Sequence, residues 1–154
     1  MPITTFQELL AEAARVGPRR VAVAAAAVPE ALEAAAAVQR AGIARCVLID
    51  APERLEPALA EVGLDPAAFR VLPATDAPGA ARLAMRMARE GEVDVVVKGA
   101  VSTAAFLQAA LDRDEGVRAG RLLTHVGVYD LPRFGRLLLV SDGGVLVVAR
   151  GQGG

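Results

Sequence analysis

Lys98 is the only lysine in a chain that carries sixteen arginines. It stands where the apolar run Val93-Asp94-Val95-Val96-Val97 meets Gly99-Ala100-Val101-Ser102-Thr103. A strand that ends in a lone ammonium, a glycine and two hydroxyls before a helix has the parts of an anion site. Glycine lets backbone approach a ligand closely, the first turn of a helix offers free N–H groups, and lysine adds a point charge. The same residues also fit a plainer reading, in which Ser102 or Thr103 caps the helix and Lys98 reaches solvent. Further on, Arg118 and Arg121 flank Gly120. A guanidinium can grip phosphate or carboxylate with two parallel hydrogen bonds, although most surface arginines are solvated or loosely paired. His125 is the only histidine and the one ready proton shuttle near neutral pH. Spacing alone favours a hydrogen-bonded structural histidine at a strand over a general base.

Several chemistries are excluded by the same inventory. One cysteine and one histidine cannot make a zinc-ligand set. Neither the GxxxxGK[ST] phosphate loop nor the GxGxxG dinucleotide fingerprint occurs, and Lys98-Gly99 reverses the order of the former. With a net charge of -1 and a pI near 5.9, the chain has no basic track for a nucleic-acid backbone. Its apolar runs are too short for a membrane span, and the start Met1-Pro2-Ile3-Thr4-Thr5-Phe6 lacks the regions of a signal peptide. Cys46 has no disulfide partner and lies in the apolar run Arg45-Cys46-Val47-Leu48-Ile49-Asp50, a core position. A cytoplasmic protein without a bound cofactor is the expectation.

The elements that must position these residues follow an α/β rhythm. Thr4 or Thr5 can cap a first helix carrying Phe6, Leu9, Leu10 and Ala13, closed by Gly17-Pro18. Strands are expected over Arg20 to Ala26, Ala44 to Ile49, Phe69 to Leu72 and Val93 to Lys98. Helices are expected from Pro29 to about Ala41, from Ala51 to Val62, from Asp76 or Pro78 toward Gly91, and from Thr103 to near Leu111. Continuous apolar strands alternating with helices indicate a parallel sheet covered on both faces. Asp112 to Gly120 is a charged connection. The pattern then changes to two runs, Leu122 to Tyr129 and Arg136 to Ser141, suited to an antiparallel pair or to neighbours in a mixed sheet. Val145 to Ala149 is apolar again. The expectation is a three-layer α/β/α fold, mostly parallel with mixed strands toward the C-terminus, in one domain over 1–149 with a loose tail over 150–154. A chain of 154 residues can bury roughly 70% of the surface its unfolded form exposes.

The segment from Val95-Val96-Val97-Lys98-Gly99-Ala100-Val101-Ser102-Thr103 to Phe106-Leu107, continued by Gly116-Val117-Arg118-Ala119-Gly120-Arg121-Leu122-Leu123-Thr124-His125, resembles the phosphate acetyltransferase and phosphate butyryltransferase family. The butyryl branch is the more similar, through its lysine-glycine, hydroxyl-rich helix start and its G-R-L-x-[ST]-H segment. The resemblance implies acyl transfer between coenzyme A and phosphate, with coenzyme A as substrate and no metal or redox cofactor. It implies that Lys98, Gly99, Ser102 and Thr103 line the phosphate or acyl phosphate region, with Arg118, Arg121 and His125 in support. It also implies a chain about twice as long, whose second lobe supplies a serine and an aspartate that have no counterpart here. Ser141-Asp142-Gly143-Gly144-Val145-Leu146-Val147-Val148-Ala149 resembles the family's [ST]-D-x-x-x-x-x-x-A-P passage, but Arg150 replaces the proline. The expectation is therefore the first lobe of a phosphate acyltransferase in truncated form, partnered by a missing second lobe or by a second copy of itself. Two other readings remain open: a noncatalytic anion or coenzyme A binding and oligomerisation module, and an unrelated enzyme using His125 with Asp130 or Asp142.

Overall fold

A computed structural model describes residues 2–118, 122–141 and 147–148 of the chain. These residues form two compact units, one over Val16–Arg118 and one that joins the N-terminal residues to those after Arg118.

In the larger unit, β1 (Arg19–Ala24), β2 (Ala44–Asp50), β3 (Arg70–Pro73) and β4 (Val95–Lys98) make a fully parallel sheet in the order β3-β2-β1-β4. The connections are α2 (Pro29–Arg40), α3 (Pro52–Glu61) and α4 (Ala77–Arg89), and α5 (Thr103–Leu111) follows β4. Alternation along each strand decides which helices it meets. Val21, Val23, Cys46 and Leu48 face Leu32 and Ala35 of α2 and Leu55 and Leu59 of α3. Ala22, Ala24, Val47 and Ile49 face Ala80, Ala84 and Met87 of α4, with Ala109 and Ala110 of α5 beyond. The two clusters are the two halves of a three-layer core, as the unbroken apolar strands imply. Leu32, Leu48, Ile49, Leu55 and Leu59 are fully buried, each contributing about 1.5–3 kcal/mol by removal from water.

Local chemistry explains where the helices start and stop. Pro29 and Pro52 occupy the first turns of α2 and α3, where a missing N–H costs nothing. The Asp76 carboxylate accepts from the Gly79 N–H at 2.6 Å and caps α4. Gly42, Gly63 and Gly91 end α2, α3 and α4 with positive φ, the conformation that glycine adopts without penalty.

The smaller unit contains α1 (Phe6–Val16) up to Arg15, together with β5 (Leu122–Leu123), β6 (Val126–Leu131), β7 (Arg136–Ser141) and β8 (Val147–Val148). At the start of α1 the Thr5 hydroxyl accepts from the Glu8 N–H, while the Glu8 carboxylate accepts from the Thr4 N–H and hydroxyl. These bonds hold the Glu8 carboxyl below its usual pKa. β6 and β7 pair antiparallel across a turn closed by Gly135 at φ 58. They form a separate two-stranded sheet, as do β5 and β8. The single strand expected over Leu122 to Tyr129 is thus two strands, broken at Thr124-His125. Val145, Ala149 and the tail over 150–154 lie outside the described residues.

Candidate functional site

The chain winds from β1 outward through β2 to β3, then crosses to the other side of β1 to lay down β4. The sheet therefore reverses its winding between β1 and β4, and the crevice outside their carboxyl ends is where open α/β sheets take ligands. Register places Ala24 beside Lys98 at that end. After β1 the chain turns through Ala25, a non-glycine residue at φ 56. After β4 it turns through Gly99 to Ser102. The two turns are sewn together, because Gly99 N–H donates to Ala24 O at 2.8 Å and Ala100 N–H donates to Ala25 O at 2.7 Å. A side chain at position 99 has no room, since a Cβ there would lie 2.2 Å from Ala25 O.

Lys98 is exposed, but its ammonium bends over its own turn, donating to Val101 O at 2.9 Å and to Gly99 O at 3.4 Å. Ser102 is the N-cap of α5, its Oγ accepting from the Ala105 N–H at 3.2 Å. The cap is therefore Ser102, and Thr103 is the first helical residue, exposed beside it. Lys98, Gly99, Ser102 and Thr103 thus share one strand-to-helix turn. A cation, two hydroxyls and the start of a helix together supply positive potential and hydrogen-bond donors to an anion. An open apolar groove of about 420 Å³ adjoins this turn, lined by Lys98, Gly99 and Val97 and by Ala31, Ala34 and Val38 of α2.

The remaining expected site residues are placed otherwise. Arg118 is exposed and lines a different recess with Arg89, Arg113 and Val117, near the C-terminal ends of α4 and α5. Since α5 runs away from Lys98, that recess belongs to the other end of the helix. Arg121 lies outside the described residues. His125 is exposed in the break between β5 and β6, not within a strand. Asp130 accepts from the Phe6 N–H at 3.1 Å, and Asp142 lies outside the described residues. Cys46 is buried among apolar groups, which pushes its thiol pKa up and away from a nucleophile's range. Among the described residues no group of three or more His, Cys, Asp or Glu side chains could hold a metal ion, and no helix is long and apolar enough to cross a membrane.

Asp50 is the residue that inspection of motifs passes over. It ends β2, is 1% exposed, and accepts from Ala27 N–H at 2.9 Å and Ala51 N–H at 2.8 Å. Arg54 stands 3.8 Å from the same carboxylate. This buried charge ties the turn after β1 to the turn after β2 and so sets one side of the crevice. The hint in the sequence is a lone carboxylate closing an apolar strand. A larger recess of about 620 Å³ lies at the opposite, amino ends of the strands, lined by Arg20, Arg45, Arg70 and Glu92. Two of its arginines are committed: Arg20 to Asp94 at 2.7 Å and Arg70 to Glu92 at 3.7 Å. The winding reversal and the hydroxyl-capped turn favour the carboxyl end as the site.

This fold and strand-end turn agree with what comparison finds. A phosphate butyryltransferase of Clostridium beijerinckii is 31% identical over 137 residues, 89% of this chain and 45% of that protein. A phosphate butyryltransferase of Clostridium acetobutylicum is 31% identical over 140 residues, 91% of this chain and 46% of that protein. A phosphate acetyltransferase of Thermotoga maritima is also 31% identical, over 92% of this chain and 48% of its own length. Among solved structures, a branched-chain phosphotransacylase from Enterococcus faecalis superposes with a TM-score of 0.67 at 20% identity, covering 80% of this chain and 42% of that one. No protein-family model matches. The chain is a relative of the phosphate acetyl- and butyryltransferases, as its motifs indicate. It spans about half the length of the curated relatives it matches.

Proposed function

We propose that this chain supplies one wall of a phosphate acyltransferase site, acting on acyl-CoA plus phosphate to give acyl phosphate plus coenzyme A, with acetyl or butyryl as the acyl group. In one direction a phosphate oxygen attacks the thioester carbonyl carbon, the C–S bond breaks, and the departing sulfur takes up a proton. In the other the thiol loses its proton, sulfur attacks the acyl phosphate carbonyl, and the C–O bond to phosphate breaks. Both directions bring two anionic substrates together and develop negative charge on the carbonyl oxygen. Lys98, the Ser102 and Thr103 hydroxyls and the first N–H groups of α5 meet the phosphate or acyl phosphate group. Gly99 keeps the turn close, and Arg118, Arg121 and His125 act as support from neighbouring segments. Coenzyme A is a substrate and no bound cofactor takes part.

The observation that carries this reading is the Lys98 to Thr103 turn at the winding reversal of the sheet. On this reading residues 1–149 are a single lobe of a cytoplasmic enzyme with a tail over 150–154, and thiol activation comes from a second lobe. A noncatalytic coenzyme A or anion binding module is the second reading, favoured by the uncovered apolar groove beside Lys98. Titration calorimetry of the 154-residue chain with coenzyme A and with butyryl phosphate, followed by the transfer assay on the same sample, separates them. Binding with turnover supports the enzyme, binding without turnover supports the module, and neither from the intact chain would remove both. Lys98→Ala is expected to weaken binding by about tenfold or more, the scale of a charge-assisted hydrogen bond at ~1.5–3 kcal/mol, with the unfolding curve unchanged.

A further inference from the structure

Among the described residues β4 is an edge strand, hydrogen-bonded to β1 alone. Its backbone direction can be read from one bond: Asp94 N–H donates inward to Arg20 O at 2.8 Å. Strand geometry alternates, so the N–H and C=O groups of Val96 also point inward and those of Val95 and Val97 point outward from the sheet. The side chains alternate as well. Val96 packs on the α4 side of the core, whereas Val95 and Val97, on the α2 side, remain 44% and 41% exposed. Three consecutive valines with outward backbone groups make an edge open to pairing, and the usual protections of bulge, proline or inward charge are missing from it.

We propose that β4 is a self-association strand on which a second copy of this chain pairs antiparallel, about a two-fold axis at Val96. In this register Val95 of one copy stands opposite Val97 of the other, and the outward backbone groups of each pair exchange both hydrogen bonds. Asp94 then stands opposite Lys98 of the second copy, on both sides of the axis, giving each cross-strand charge an opposite partner. Moving the register by two residues toward the C-terminus sets Lys98 against a valine and Asp94 against an alanine. Moving it the other way leaves only Val95 of β4 overlapping its own copy. The charges therefore select the central register, and the same surface on both copies gives a closed dimer. The two four-stranded sheets become one continuous sheet, and the apolar grooves beside α2 meet across the axis. This inference goes beyond the acyltransferase reading and holds whether or not the chain binds coenzyme A.

Light scattering coupled to size exclusion on the intact chain tests it. The mass is expected to rise from 15.9 kDa toward twice that value with concentration. V95K/V97K, which sets lysine against lysine at both pairs, is expected to weaken association by at least about tenfold with an unchanged far-UV spectrum. V95E/V97K, which sets glutamate against lysine in this register, is expected to restore it. A parent chain that stays monomeric at millimolar concentration overturns the proposal, as does a Lys/Lys variant that associates like the parent. Amide exchange in the parent provides a check free of variants: Val95 and Val97 must gain protection as the dimer forms, and a dimer that leaves both amides unprotected refutes the strand pairing.

Discussion

Gly99→Ala offers the sharpest test of how the strand-end turn is built. Gly99 does not lie in the left-handed region, so its requirement is space and not conformation. At an unconstrained position of this kind, exchanging glycine for alanine stabilises by about 0.4–1 kcal/mol, through the lost freedom of the unfolded chain. Here the new Cβ would stand 2.2 Å from Ala25 O and 2.9 Å from Ala24 O. Both obstacles are backbone, and both accept the hydrogen bonds that join the two turns. Relief therefore means separating the turns by roughly 1 Å, at an overpacking cost of about 1–3 kcal/mol. Weakening of one or both bonds adds about 1 kcal/mol. A net loss of about 2–4 kcal/mol corresponds to a fall in Tm of roughly 4–16 °C for a domain of this size. Thermal and urea unfolding of the variant beside the parent would measure it. An unchanged or raised Tm would refute the close approach of the two turns, and with it the argument that position 99 is reserved for glycine.

Three further outcomes follow from the same packing. Asp50→Ala strands the Ala27 and Ala51 N–H groups and is expected to cost about 2–4 kcal/mol in urea unfolding, with Asp50→Asn costing less because one acceptor survives. Cys46→Ala should cost about 1–2 kcal/mol as a small core deletion, with coenzyme A and phosphate titrations unaltered; lost binding at unchanged stability would make the thiol functional. For pH, the Arg20 guanidinium and Arg20 N–H hold the Asp94 carboxyl down at about 2, against its ordinary 3.8. A depressed carboxylate stabilises the fold above the ordinary value and loses that contribution as pH falls from about 4 toward 2. Arg20→Ala should flatten the pH dependence of unfolding across this window; an unchanged slope would show that the exposed pair contributes nothing.

How much of this was legible depends on the range of the interaction involved. Thr103–Leu111 and Arg136–Ser141 have the bounds that periodicity indicates, because neighbouring residues decide them. Asp76 caps its helix as its type suggests, again through a contact three residues away. The run from Leu122 to Tyr129 misleads because apolarity carries no mark of the break at Thr124-His125, which comes from each half pairing with a different strand. The roles of Ser102 and Thr103 were also left open, since either hydroxyl can cap and only the backbone path of the turn selects Ser102.

The sequence by itself determined the alternation of strand and helix, the apolar faces, the anion-binding residue types around Lys98 and the kinship with phosphate acyltransferases. Each of these is written in residue identity and short spacing. Only the tertiary structure decided that Lys98 lies beside Ala24, that Gly99 is held by the carbonyls of the turn after β1, and that Asp50 works from beneath that turn. It also decided that Arg118 lines a recess at the far end of α5 and that β4 presents its valines at an edge. These relations join residues far apart in the chain, and strand order, not spacing, brings them together.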